Sequence, residues 1–263
     1  MKLLITGALS GLGYQYAKTL AKKGHIIYAG VENEKQQNTL ENKLKKEKVI
    51  MFPIICQLLD ETTWPDFKQL DIDGIILQAG IGVGGSILEI DQQKLKENFT
   101  ANVFQNIKLL QSFMQAYYQS ETPKKIWITS SLAAFLPLPY LASYTMTKAS
   151  LYLLARTLYL ETKLQHLPFQ VSVILPGAYA TGFNEVMIEN KYASKIYLKK
   201  KAKQMTKLQY FLFHLVESKN KECLAKQIEK SITSKKQPFI ISRPLSQYMM
   251  IKIYNILLTI YNI

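Results

Sequence analysis

Tyr144 and Lys148 stand four residues apart in Tyr144-Thr-Met-Thr-Lys148, thirteen residues after Ser131. On a helix, positions i and i+4 project from one face, one turn apart. A free phenol, with a pKa of about 10, is a poor proton donor and acceptor at neutral pH. An ammonium one turn away favours the phenolate and draws that pKa toward the working range, as acid–base chemistry requires. A serine hydroxyl close by can hold a carbonyl oxygen while the phenol protonates it. Taken alone the pair also reads as exposed helix surface, since the chain has 16 Tyr and many lysines. The elements before it decide which reading holds.

Residues 2–6 form a short apolar run of the kind a buried parallel strand shows. Gly7-Ala-Leu-Ser-Gly11-Leu-Gly13 follows, then helical periodicity from Tyr14 to Lys23 through Tyr16, Ala17, Leu20 and Ala21. Gly24 suits a left-handed cap, and residues 25–29 read as a second strand. Strand, glycine-rich turn, helix and strand make a dinucleotide-binding unit. Its glycines let the backbone approach a pyrophosphate that rests on the helix N-terminus. Glu32 follows the second strand, where a carboxylate accepts hydrogen bonds from ribose hydroxyls and repels a 2′-phosphate. That favours NAD over NADP, although Lys35 is within reach of a phosphate. Glu32 reads equally as the acidic opening of the next helix.

Residues 33–48 predict a polar helix, 49–55 a third strand, 60–70 a further helix and 74–80 a fourth strand with its exit turn. Ala79 and Gly80 are small enough for a cofactor to lie against the strand end. A long helix is expected over 89–118, carrying Asn98 and Asn102. A mid-helix asparagine is unfavourable unless its amide is used, which marks Asn102 as a candidate. Residues 125–131 predict a fifth strand ending in Ser130 and Ser131, and Tyr144 opens a helix to Leu164. A sixth strand over 170–175 closes on Pro176-Gly177. Strands alternating with helices specify an α/β fold, a doubly wound parallel sheet of Rossmann type with helices on both faces. Ligands in such sheets bind at the carboxyl ends of the strands, and the candidate residues all follow strand ends.

With these pieces in place the chain resembles the short-chain dehydrogenase/reductase family from Lys2 to about Thr181. Thr6-Gly-Ala-Leu-Ser-Gly-Leu-Gly13 is similar to its cofactor turn, and Pro176-Gly-Ala-Tyr-Ala-Thr181 to the segment that embraces the nicotinamide. Ser131, Tyr144 and Lys148 resemble its catalytic trio, and Asn102 the asparagine of its central helix. The resemblance implies an NAD(P)-dependent oxidoreductase that interconverts an alcohol and a ketone or aldehyde. In it Tyr144 exchanges the proton, Lys148 lowers its pKa and holds the nicotinamide ribose, Ser131 positions the oxygen and Asn102 helps hold a water relay. The implied cofactor contacts are Thr6, Gly7, Ser10, Gly11, Leu12, Gly13, Glu32, Leu58, Ala79, Gly80, Tyr144, Lys148, Pro176, Gly177 and Thr181. The resemblance also implies a homo-oligomer. Two departures stand out: Leu77-Gln78-Ala79-Gly80 where the family has Asn-Asn-Ala-Gly, and Gln57 where an acidic residue usually meets the adenine.

Composition bounds the rest. The 263 residues, 48% apolar, suit one large domain. Its parts are a Rossmann core over 1–182, a helical substrate lid over 183–237, and a final strand with a hydrophobic segment over 238–263. Cys56 and Cys223 lack metal or disulfide spacing, and three scattered histidines give a metal site little to build on. The opening apolar run breaks at Thr6-Gly7, too short for a signal sequence, so a cytoplasmic protein is expected. The net charge of +14 raises an anionic partner, although lysine-rich helix faces that simply solvate well are the favoured account. No recognition motif supports nucleic acid.

Within the lid, Lys191, Lys195, Lys199, Lys200, Lys201, Lys203 and Lys207 interleave with Tyr192, Tyr197, Tyr210, Phe211 and Phe213. This is either an aromatic pocket for a bulky apolar or carrier-bound substrate, or a helix pair with a solvated face. The tail from Leu245 is too short beyond Lys252 to span a bilayer; it is a buried wall, a dimer contact or an interfacial anchor. Two rivals to the enzyme remain: a non-catalytic nucleotide-sensing module, and a membrane- or carrier-docking protein using the basic lid.

Overall fold

The computed structural model describes residues 1–189 and 199–261. Seven strands form one sheet in the order β3-β2-β1-β4-β5-β6-β7. They are β1 (Lys2–Ile5), β2 (Ile26–Val31), β3 (Phe52–Ile55), β4 (Gly74–Leu77), β5 (Lys124–Thr129), β6 (Phe169–Pro176) and β7 (Ile240–Arg243), every neighbouring pair parallel. The chain runs outward from β1 to β3, then returns to β4 on the other side of β1. The crevice of this doubly wound sheet therefore opens between the ends of β1 and β4.

Side chains alternate across the sheet and build two cores. Leu3, Ile5, Ile76 and Trp127 point to one face, where they meet α1 (Gly11–Lys22), α2 (Glu34–Glu47) and α9 (Glu222–Thr233) through Leu20, Leu40 and Ile228. Leu4, Ile75, Leu77, Ile126 and Ile128 point to the other, against α3 (Phe67–Leu70), α5 (Gln105–Ala116) and α6 (Ala142–Leu164) through Phe67, Phe113 and Leu151. Strands buried on both faces read as continuous apolar runs, as these do.

Three expectations change. The helix expected over 60–70 is a 3-10 turn at Glu61–Thr63 followed by the four residues of α3. Trp64 precedes Pro65, and the proline ring forces it into an extended conformation that no helix can pass. Asp66 then caps α3, accepting from the N–H groups of Lys68 and Gln69.

The helix expected over 89–118 is split into α4 (Gln92–Phe99) and α5 by a π-helical turn at Thr100–Phe104, centred on Asn102. Such turns mark functional sites more often than chance. Finally, α9 lies within the stretch read as lid, yet Leu224, Ala225 and Ile228 are fully buried in the core. Only α7 (Phe183–Glu189) and α8 (Lys199–Val216) of that stretch face the crevice. Lys191, Lys195, Tyr192 and Tyr197 lie outside the described residues, as do the side chains of Lys199, Lys200, Lys201 and Lys203.

Candidate active site

The strand ends and the helices α7, α8 and α10 (Leu245–Tyr261) enclose one cavity of about 1230 Å³. That exceeds what a single drug-sized ligand fills and leaves room for two molecules. Among the described residues, Glu32 and Lys148 are the charged ones in its lining.

The glycine turn forms one end. Gly7 sits at φ +65, and a Cβ there would come within 2.9 Å of Ala79 Cα, so only glycine allows β1 and β4 to part this closely. A Cβ on Gly13 would meet the Gly7 carbonyl at 2.2 Å. Ser10 precedes α1 without a side-chain cap, and the first turn carries no acid. The N–H groups of that turn therefore face the cavity with the positive end of the helix dipole behind them. Gln78 Oε1 and Thr129 Oγ1, both on lining residues, are buried without a partner among the described residues. A narrow glycine cradle, an open helix N-terminus and orphaned polar atoms fit a dinucleotide.

Glu32 lies before α2, whose cap is Asn33, so it does not open that helix. Its carboxylate accepts from Gln36 Nε2 at 2.9 Å, and its own N–H donates to Gln36 Oε1 at 3.1 Å. Glu32, Gln36, Gln57 and Leu58, which follow β2 and β3, share one end of the lining, and Lys35 is not part of it.

At the chemical end, Ser131, Tyr144 and Lys148 line the cavity together. Ser131 caps a 3-10 turn at Leu132–Phe135, accepting from the Ala133 N–H at 3.1 Å. Ser130 Oγ donates to the Lys148 carbonyl at 2.6 Å and fastens α6 to the end of β5. Lys148 Nζ donates to the Thr129 carbonyl at 3.2 Å and stands 5.8 Å from the centre of the Tyr144 ring. Burial lowers the Lys148 ammonium to about 8. Burial raises the Tyr144 phenol to about 12, and a hydrogen bond with Ser131 draws it partly back. Desolvation therefore dominates the phenol's pKa in this arrangement, while the Lys148 ammonium, at about 8, is still charged at neutral pH. Phe183 packs on the Tyr144 ring at 5.7 Å between centroids.

Two of the expected residues stand behind the lining. Thr6 is fully buried, and its hydroxyl accepts from the N–H groups of Gln78 and Ala79 at 2.9 and 3.0 Å. It ties β1 to the exit of β4 and is not a cavity contact. This clamp braces the strand where Leu77 replaces a polar residue.

Asn102 is also fully buried. It accepts from the Ile81 N–H at 2.7 Å and donates to the Ile81 carbonyl at 2.8 Å and to Asn98 Oδ1 at 2.8 Å. Its amide is spent on protein groups, so it acts as a brace in this arrangement. Asn98 passes the connection on, donating to Ser143 Oγ at 2.6 Å beside Tyr144. A Cβ on Gly80 would stand 2.8 Å from Asn102 Oδ1. Gly7, Ser10, Gly11, Leu12, Gly13, Ala79, Gly80, Pro176, Gly177 and Thr181 line the cavity as expected from their strand ends.

Sequence reading missed Gln247. From α10 its Oε1 accepts from the Ala178 N–H at 2.9 Å, and its Nε2 donates to the Val216 carbonyl at 2.7 Å. A Cβ on Gly177 would fall 2.0 Å from Gln247 Oε1. Nothing local in Leu245-Ser-Gln247 signals a partner 69 residues earlier in the chain.

The comparisons agree with this architecture. A 3-ketodihydrosphingosine reductase of Bacteroides thetaiotaomicron is 26% identical over 185 residues, covering 70% of this chain and 65% of that protein. The match thus spans just under two thirds of that relative's length. A short-chain dehydrogenase of Streptomyces avermitilis superposes with a TM-score of 0.77 at 18% identity, covering 99% of this chain and 95% of the other. Another, from Sphingobium yanoikuyae in complex with NADPH, gives 0.72 at 19% identity, over 98% and 94%. Residues 2–191 match the model of the family described as short chain dehydrogenase, and the chain belongs to that family.

Proposed function

We propose that this protein is a nicotinamide-dependent oxidoreductase that interconverts an alcohol and a ketone or aldehyde. The observation that carries the reading is the meeting of Ser131, Tyr144 and Lys148 in the cavity that holds the glycine turn. A nicotinamide cofactor held against the glycine turn would supply or take up the hydride. In the reducing direction Ser131 Oγ holds the substrate oxygen while the Tyr144 phenol donates its proton to it. A phenol at about 12 holds its proton firmly until negative charge grows on that oxygen. Lys148, at about 8, is charged at neutral pH and sits one turn away to stabilise the phenolate left behind. A complete trio weighs against a non-catalytic sensing module.

Glu32, steadied by Gln36, supports NAD over NADP, because a 2′-phosphate would meet a carboxylate with no cation beside it in the lining among the described residues. A bulky apolar substrate is supported by the wall of Leu136, Val186, Met187, Phe213 and Met250, and by the name of the Bacteroides relative. Cys56 and Cys223 are free, which suits a reducing cytoplasm.

The test is a fluorescence titration with NADH and NADPH, followed by an alcohol and ketone screen with the tighter cofactor. Tighter NADH binding is expected. Preference for NADPH would remove Glu32 as the ribose ligand, and binding of neither would overturn the reading.

A further inference from the structure

The helices beyond the substrate wall turn an apolar face to solvent. On α10, Leu245, Met249, Lys252, Ile253 and Ile256 recur at the spacing of one helical face, and all are exposed. The opposite face packs inward through Tyr248 and Ile251. On α8, Lys207, Phe211 and Leu215 share a face and are exposed, Phe211 at 65% and Leu215 at 72%. The helices are joined where Gln247 of α10 bonds the Val216 carbonyl. Val216 and Met250 line the cavity and are themselves exposed, so the cavity opens onto this surface.

Charge singles out the occupant. Neither α8 nor α10 contains an Asp or Glu, and α8 contains five Lys. Residues 183–263 carry 15 Lys and Arg against 5 Asp and Glu, which is +10 of the chain's +14. Exposed apolar helix faces beside lysines, with no acid between them, have the chemistry of a segment lying in a bilayer interface. Among the described residues no helix is long and apolar enough to cross a membrane, so such contact is in-plane. A second copy would bring two strongly basic surfaces together, which like-charge repulsion opposes.

We propose that the outward faces of α8 and α10 dock this protein on an anionic phospholipid bilayer, with the mouth of the cavity toward the lipid. An apolar substrate would then enter from the bilayer without crossing water.

The test is flotation of the full chain with vesicles of phosphatidylcholine alone or with one part in three of phosphatidylglycerol. At about 0.05 M salt the bound fraction should be at least tenfold higher on the anionic vesicles, and about 0.5 M salt should remove most of it. Met249→Glu with Ile253→Glu puts two carboxylates on the outward face, and neither residue lines the cavity. This variant should bind vesicles at least tenfold more weakly, with its melting temperature and NADH titration unchanged. Lys207→Glu with Lys252→Glu should also weaken binding, since each lysine near an anionic surface contributes roughly fivefold.

Equal or absent flotation on the two vesicles would overturn the proposal, as would binding that both variants leave intact. A concentration-dependent dimer that Met249→Glu with Ile253→Glu dissociates would assign the face to a second copy instead. Flotation is read without turnover, so its failure is distinct from failure of the oxidoreductase reading.

Discussion

The two sides of the cavity are held by different forces. The strand-end side is a lattice of short polar contacts: Thr6 to Gln78 and Ala79, Asn102 to Ile81 and Asn98, Ser130 to Lys148. The helical side of α7, α8 and α10 is an apolar wall, tied to the segment after β6 by Gln247 on α10 and Asn184 on α7. Hydrogen bonds fix direction within a few tenths of an ångström, which proton transfer needs. Apolar contacts fix volume and tolerate rearrangement, which suits a surface that meets a variable substrate. The cavity joins a rigid chemical floor to a compliant wall.

Several measurements would break or sharpen this contrast. The largest effect should come from the floor's reacting group. Tyr144→Phe should keep NADH affinity and lose about 10²–10⁴ in turnover, the usual worth of a positioned acid or base. A variant with undiminished steady-state rate would remove Tyr144 from the chemistry.

Asn102→Leu should cost about 4 kcal/mol in urea unfolding, because it leaves the Ile81 N–H and carbonyl unpaired. A loss below 1 kcal/mol would show that the π-helical turn does not need its asparagine.

Lys148→Met probes the cost of burying an ammonium. In the folded chain this group is lowered to about 8 from the ordinary 10.5, so between those values the unfolded chain binds more protons. Stability should therefore rise with pH across that window, by about 3 kcal/mol from this residue, and the gain should be absent in the variant. Parallel pH profiles for the two proteins would contradict the lowered value.

Gln247 is the seam between floor and wall, and its two arms can be cut separately. Gln247→Leu removes both bonds and should raise the KM of the substrate more than the Kd of NADH. It should cost about 1–2 kcal/mol in stability. Gln247→Glu keeps an acceptor for the Ala178 N–H and loses the donor to Val216, so it should restore part of the KM. Equal kinetics for Leu, Glu and Gln at this position would deny it a positioning role. Smallest of all, Leu215→Ser on the exposed wall should change stability by less than about 0.5 kcal/mol in thermal melts.

Much of this molecule was legible along the chain. Short continuous apolar runs closed by turn residues marked the strands, and 3.6-residue periodicity marked the helices. The glycine turn, Ser131, Tyr144 and Lys148 were readable because each lies just after a strand, where a parallel sheet gathers its ligands. The break between Glu61 and Phe67 was in principle readable too, since Trp64-Pro65 forbids a continuous helix.

What the tertiary structure alone decided were the contacts between residues far apart in sequence and the field they create. Thr6 sits inside the glycine-turn motif, yet its hydroxyl is turned to Gln78 and Ala79 by the pairing of β1 with β4. Asn102 announced itself as a mid-helix asparagine, but its partner at Ile81 follows from how α4 and α5 lie across the exit of β4. The Tyr144–Lys148 spacing promised a lowered phenol, whereas desolvation by the residues packed around it raises it, because desolvation depends on surroundings that spacing does not contain. Local pattern set which groups are present and which face they share. Only packing set which of them meet, and in what dielectric.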